Sequence, residues 1–445
     1  MENSKKNSVM ENIAITRVGK EDRKGWLDVM LVQMGCMICV PSLMTGALLI
    51  ESMTMTNMII ASVIGCLIVC LLICVVGFIG SDTGVPTVII SKATFGAQGA
   101  RIFISLIWAV TAIGWFAVQC EECGQAFSNL MASNFGIYFP VSLSIALWGV
   151  VMLLTAVFGF NAMEKLNLIA TPLLLIASVA GVIMAIRSFG TGGIESHSVD
   201  PANSMSMIDG IGLVVSLGAF AACAAPDFTR YQKNRKQTIL SNTVGIGGIG
   251  FVMIIVGALL TVIAGEYDIS AVFITVGMPV IGVIALILAT WTTNTANAYA
   301  GGLDLVALFQ AKDSKRGMAT AIAGGVSIVV TLTGIASDFI GVLNVLGCLT
   351  LPATGAVLAD YYCLRKGDPR NWRYIRGWRV SGFLATGVGV AVTFIPVGIG
   401  MINGLIASLV AMVIFVSGER ALRKTPAEEI RTEYEDRDID EYEQV

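Results

Sequence analysis

Charge is scarce in this chain. Of its 445 residues only 13% are charged and 55% are hydrophobic. The mean hydropathy is +0.79. A soluble domain carries about 25% charged residues, so this chain has too few to cover a water-facing surface. Histidine is nearly absent. The single one, His197, falls in an expected outside loop. That argues against a histidine proton relay. Cys36/Cys39 and Cys120/Cys123 have CxxC spacing, but a structural metal site wants four ligands and the chain offers no matching histidines. The ten cysteines lie mostly in apolar runs and read as small hydrophobic filler. No polar stretch is long enough for an inserted soluble domain; the longest expected outside loop is about 188–206. Residues 1–25 are polar and basic with no apolar core, so no cleavable signal peptide is expected and the first apolar run serves as its own targeting signal. The net charge of −3 comes mainly from the tail EEIRTEYEDRDIDEYEQV, which reads as solvated and disordered. Nothing in the sequence points to nucleic acid.

What the chain has in abundance is long apolar runs. Spanning the hydrocarbon takes about 20 mostly apolar residues per helix. Twelve windows qualify: 27–50, 55–80, 102–132, 139–160, 166–187, 207–226, 239–265, 274–300, 318–336, 338–363, 379–398 and 400–418. The cuts at 336–338 and 398–400 are the least marked. The runs exceed the 9–11 residues of a barrel strand and do not alternate, so helix is the choice. With both termini cytoplasmic, every Lys and Arg except Arg187 falls at an inside position. A wrong helix count would scramble that alternation. The expected fold class is therefore an all-α polytopic membrane protein. A cytoplasmic segment at 1–26 precedes a twelve-helix domain at 27–419, and an acidic cytoplasmic tail occupies 420–445. Localisation in a bacterial inner membrane is expected.

Many transporters repeat a five-helix unit in inverted orientation, with substrate and ions near the midplane where the first helix of each unit is interrupted. Here the first repeat covers about 27–187, the second about 207–363, and two further helices about 379–418. The first helix contains GCMICVPSLMTG (35–46), where Pro41 disfavours helix at Val40 and frees carbonyls near Gly35 to Ile38. The sixth contains SLGAFAACAAPDF (216–228), with Gly218 among small residues.

The third helix holds AIGWFAVQCEECGQAF (112–127). Trp115, Gln119 and Glu122 share one helical face, with Glu121 turned away. A flat aromatic with an amide one turn above it suits a planar, hydrogen-bonding ligand. Buried charge in a membrane is costly and usually faces a cavity or a partner. The eighth helix places Thr292, Thr293 and Asn294 deep in a span. Their hydroxyls either bond back to their own helix or serve as hard ligands for a small cation beside the freed carbonyls of the first helix.

Five stretches carry a resemblance: ATFGAQG (93–99), IGWF (113–116), PDFTRY (226–231), WTTN (291–294) with Tyr299 after it, and LADYY (358–362). In this order and spacing the chain resembles the nucleobase–cation symporter 1 family, most closely its cytosine permeases. The resemblance implies ten core helices in two inverted repeats of the LeuT-like kind, plus two peripheral helices. It implies uptake of a nucleobase or similar ring coupled to sodium, or in some members to protons. It places the ring on Trp115. It places the sodium ligands at the carbonyls of Gly35, Ile38 and Ala289 and the hydroxyls of Thr292 and Thr293. The substrate site departs from the cytosine pattern. Ala112 stands for a glutamine, Ala289 for an asparagine, and Gly218 and Phe220 for a phenylalanine and a serine. Gln119 instead matches a glutamine of hydantoin carriers. Glu122 is a candidate replacement for the lost contacts, accepting from an exocyclic amine or a cationic ligand.

The expected function is a secondary active symporter, not an enzyme, and a monomer with no cofactor beyond its coupling ion, Na⁺ or H⁺. Its ring would stack on Trp115 and contact Gln119, with Asn294 as a further partner. The alternative is the same fold serving hydantoin, allantoin, a thiamine-precursor pyrimidine, a vitamin B6 form or a polyamine. A membrane-embedded enzyme would need a convergent nucleophile, base or metal set, and none is present. A channel would need polar stripes along several spans, whereas the polar residues cluster at midplane.

Overall fold

Glycine and proline set the helix boundaries. The computed structural model describes residues 14–266, 269–334, 339–422 and 430–431. Helix α1 (Trp26–Met37) stops at Ile38 and Cys39, whose backbones leave the helical region (φ −83°, ψ 75° and φ −143°, ψ 160°). Helix α2 (Val40–Ser52) restarts with Pro41 in its first turn, where a missing amide hydrogen costs nothing. The two are bent by 54°. Helix α3 (Met55–Thr83) is capped by Thr54, which accepts from the Asn57 amide. It ends on Gly84 at φ +73°, a left-handed turn that suits glycine.

The short helices α4 (Thr87–Ile90) and α5 (Lys92–Gly99) lead through a π-turn at Ala100–Ile104 into α6 (Ser105–Phe135). α7 (Val141–Phe158) and α8 (Phe160–Phe189) follow. Past the turn α9 (Gly192–Glu195), α10 (Met207–Cys223) breaks at Ala224 and resumes as α11 (Ala225–Thr229), again with proline in the first turn. The sixth helix is thus interrupted at Ala224, inside the stretch 216–228 where a break is expected. Helix α12 (Arg235–Asn242) runs through a π-turn into α13 (Ile249–Ala264). After α14 (Ile269–Thr275) comes α15 (Pro279–Leu308), which starts later than the 274–300 window because Pro279 takes its first turn, and which runs on to Leu308. The set closes with α16 (Arg316–Leu332), α17 (Phe339–Leu358), α18 (Val380–Thr393) and α19 (Gly400–Leu422). The cut at 336–338 lies outside the described residues, as does nearly all of the acidic tail. The cut at 398–400 widens to the whole stretch between Thr393 and Gly400.

Among the described residues seven helices are long and apolar enough to cross a bilayer, and the bent α1–α2 pair makes an eighth. Leu67 and Leu71 on α3 and Ile169 and Ile176 on α8 point outward, each more than 60% exposed. Such apolar outer faces belong in hydrocarbon. The protein is a multi-pass membrane protein.

At one end of the bundle the N-terminal segment is stitched across several helices. Val18 N–H donates to Gly84 (2.9 Å), Lys24 N–H to Tyr231 (2.7 Å), and Arg23 Nη1 to the carbonyls of Ser81 and Gln232 (both 2.6 Å). Ile15 N–H and the Thr16 hydroxyl donate to Asp313, and Lys24 pairs with Glu164. Arg230 reaches the Ala14 carbonyl and the Tyr231 and Tyr299 hydroxyls, which joins the PDFTRY stretch to Tyr299. LADYY lies at the same end: Asp360 pairs with Arg379 (3.0 Å) and the Tyr361 hydroxyl donates to Asp82 (2.7 Å).

Close helix crossings are made by glycines. A Cβ on Gly46 would lie 2.0 Å from the Ile254 carbonyl oxygen, and one on Gly257 2.1 Å from that of Leu43. α2 and α13 therefore touch backbone to backbone. Gly257→Ala is expected to lower stability by about 1–3 kcal/mol through overpacking. Gly325→Ala, with nothing within 4 Å of its new methyl, should leave stability unchanged or raise it by up to about 1 kcal/mol. Thermal melts in detergent check the pair; equal melting points would contradict the crossing.

Candidate functional site

The break in α1 faces the middle of α15. The helical ladder of α1 ends with the Ile38 amide donating to Met34 (3.0 Å). The Gly35 carbonyl is taken up by side chains instead. The hydroxyls of Thr292 (3.0 Å) and Thr293 (3.1 Å) both donate to it. The same hydroxyls approach the Ala289 carbonyl at 3.0 and 3.1 Å. The Ile38 carbonyl, at the break itself, accepts no hydrogen bond among the described residues. Four of the five oxygens expected at a cation site thus converge on one point, and the fifth sits at the adjoining break. They are neutral and hard, the donor type a small cation prefers. A Cβ at residue 35 would lie 1.7 Å from Asn167 Oδ1, so any larger residue there would displace the Asn167 side chain. Asn167 on α8 is held by donating to Met163 (2.8 Å).

Beside this cluster lies a cavity of about 670 Å³, a figure that includes the open space at its mouth. Trp115 and Gln119 of α6 line it, with Phe220 of α10, Phe228 of α11, and Cys36 and Cys39 at the α1 break. Thr293 belongs to both the lining and the oxygen cluster. Among the described residues no charged side chain lines the cavity. Gln119 is fully buried, and neither its Nε2 nor its Oε1 makes a hydrogen bond to a nitrogen or oxygen; the Cys39 thiol is the polar group beside it.

Three residues expected at the substrate lie elsewhere. Gly218 faces α3, where a Cβ would meet Val69 at 2.5 Å, so it serves helix packing. Glu122 is half-buried and absent from the lining. It shares the face of Trp115, but seven residues carry it about 10 Å further along the helix. Its neighbour Glu121 accepts from Gln125 Nε2 at 2.9 Å. Asn294 is buried behind the wall, donating to the Phe116 carbonyl (3.3 Å) and accepting from Asn297 Nδ2 (3.3 Å). Asn297 is the residue in the lining. The helical period contained that signal: Asn297 lies one turn from Thr293, whereas Asn294 is rotated by about 100°. Gln33, two residues before Gly35, also lines the cavity. A lone amide in the apolar run WLDVMLVQMGCM was the sequence trace of it. At the two alanines that depart from the cytosine pattern, Ala112 is buried against Gly301, while Ala289 contributes its carbonyl.

Comparison with known proteins places this geometry. The family model for permeases of cytosine/purines, uracil, thiamine and allantoin matches residues 17–416. The cytosine permease of Escherichia coli strain K12 is 28% identical over 403 residues, covering 89% of this chain and 92% of its own. The allantoin permease of Bacillus subtilis strain 168 is 24% identical, covering 91% of each. Among solved structures, Mhp1, a nucleobase-cation-symport-1 transporter in a closed conformation with bromovinylhydantoin bound, superposes with a TM-score of 0.80 at 20% identity, covering 95% of this chain and 98% of its own. A Na⁺-coupled sialic acid symporter superposes at 0.63 with 15% identity, covering 89% of this chain and 90% of its own. The fold is that of these transporters, and the relatives are permeases, not enzymes. The chain belongs to the family of permeases for cytosine/purines, uracil, thiamine and allantoin, the nucleobase–cation symporter 1 family whose motifs it carries.

Proposed function

We propose that this protein is a secondary symporter that imports a neutral, planar, N–H-bearing ring of the cytosine, allantoin or hydantoin type together with sodium. One observation carries the reading. An unpaired amide, Gln119, stands one turn from Trp115 in an uncharged cavity. A buried polar group without a partner costs about 1–3 kcal/mol, and a ring stacked on the indole would supply that partner from its edge. The uncharged lining weighs against a polyamine or other cationic cargo.

The oxygen cluster supports the cation half. On binding sodium, the Thr292 and Thr293 hydroxyls would turn lone pairs to the ion, and the carbonyls they now satisfy would face it instead. Thr293 also touches the cavity, so ordering the break orders one wall of the ring site. That gives a reciprocal coupling between ion and ring. The overall plan we assign is twelve spans: two inverted five-helix repeats, about 27–187 and 207–363, and two peripheral helices. Both termini face the cytoplasm of a bacterial inner membrane, and the working unit is a monomer.

Uptake of radiolabelled cytosine tests this in cells lacking their own permease, with and without a sodium gradient, competed by purines, pyrimidines, hydantoin, allantoin and amines. Saturable, sodium-dependent uptake, or its competition by a ring but not by amines, is the expected result; capture of amines alone would overturn it. Thr293→Ala is expected to raise the sodium requirement about tenfold or more, the equivalent of about 1.4 kcal/mol, with little change in ring preference. The reverse pattern would remove the ion assignment. Gln119→Leu should abolish uptake yet stabilise the ligand-free protein by about 1 kcal/mol; a lower melting point would show that the amide has a structural role.

A further inference from the structure

Two amide side chains in the cavity wall have their orientation fixed from behind. The clearer case is Gln33 on α1, which is 3% exposed. Its Nε2 donates to Asn242 Oδ1 at 2.6 Å. Asn242, fully buried and outside the lining, donates through Nδ2 to the Ile73 carbonyl at 2.9 Å. A backbone carbonyl can only accept, so the Asn242 amide cannot be flipped without loss. Its oxygen must therefore face Gln33, and the Gln33 nitrogen must face Asn242. What remains is Gln33 Oε1, an acceptor on a cavity-lining residue with no partner. A buried acceptor fixed in this way cannot adapt by flipping, as Gln119 can.

We infer that Gln33 is a specificity-determining residue: a fixed acceptor, set by the Asn242–Ile73 relay, that demands an N–H on the edge of the transported ring. The inference rests on the reading of the cavity as a ring site and goes further by stating which chemistry one wall requires. The second relay, in which Asn294 is anchored on the Phe116 carbonyl and accepts from Asn297 Nδ2, leaves Oδ1 as the polar atom of the lining residue Asn297 that the relay does not engage. Two fixed acceptors and one adaptable amide suit a ring with N–H groups on two edges. A ring methylated at the nitrogen facing Gln33 loses both the hydrogen bond and the fit.

The test uses the purified full chain in detergent. Uracil, cytosine, hydantoin and allantoin, and the N-monomethyl derivatives of each, are titrated while thermal stabilisation is recorded. At least one parent ring is expected to stabilise the wild type. One of its N-methyl isomers should bind about tenfold or more weakly. On Gln33→Met, which has similar length but no acceptor oxygen, the same methyl group should cost less than about threefold. That difference is a coupling measured by a double cycle. Equal methylation penalties on the two proteins, with parent rings still bound, would overturn the role of Gln33 and leave the ring site standing. If no parent ring stabilises the wild type, the ring reading falls and Gln33 with it. Should Gln33→Met fail to fold, Asn242→Leu frees the glutamine without touching the lining. The methylation penalty should then shrink to about threefold, and a penalty equal to that of the wild type would overturn the relay.

Discussion

The Gly35 carbonyl accepts from two threonine hydroxyls on another helix, and the arrangement of the site depends on that contact. It exists because α1 stops at Ile38, so the carbonyls of its last turn are released from the ladder. It is reachable because residue 35 has no side chain and Asn167 occupies the space one would need. The same threonines draw the α15 backbone at Ala289 into the cluster. A break, a glycine and a TT pair thus join two helices through polar atoms in the middle of an apolar bundle. An unbroken α1 would keep its carbonyls to itself and leave the hydroxyls only their own helix to bond.

The cavity beside it follows a simple economy of polar groups. Its walls are apolar and aromatic, and three amides supply the hydrogen-bonding chemistry. Two of them, Gln33 and Asn297, are oriented by partners that end on main-chain carbonyls, while Gln119 has no anchor. On the proposed ring reading, fixed and free amides would divide the labour. The fixed ones would discriminate, because a mismatch cannot be relieved by a flip, and the free one would adapt to whichever donor or acceptor arrives.

Much of this was legible in the sequence, for identifiable reasons. Membrane spans follow from composition, and the two interrupted helices follow from Pro41 and from the small-residue stretch 216–228, within which the second break falls at Ala224. Trp115, Gln119, Phe220 and Thr293 carry chemistry that stands out against an apolar background, and they meet in one cavity. Gln33 and Asn297 escaped because their importance lies in which way the helix turns and in partners far along the chain, Asn242 and Asn294. Glu122 lies outside the cavity lining because helical phase says which face a residue takes but not how far along the helix it stands. The motif stretches were informative about kinship and less so about the site: PDFTRY, LADYY and Tyr299 mostly build the end of the bundle where the N-terminal segment docks.

That segment has a consequence for how the protein is made. Residues 14–24 are translated before any helix of the bundle, yet their partners are spread over the length of the chain: Gly84, Glu164, Tyr231, Gln232 and finally Asp313. The last of these is translated 298 residues after Ile15. Closure of this end of the bundle is therefore a late event in biogenesis, complete only after α15 has been synthesised. Until then Ile15 and Thr16 have no Asp313 to bind.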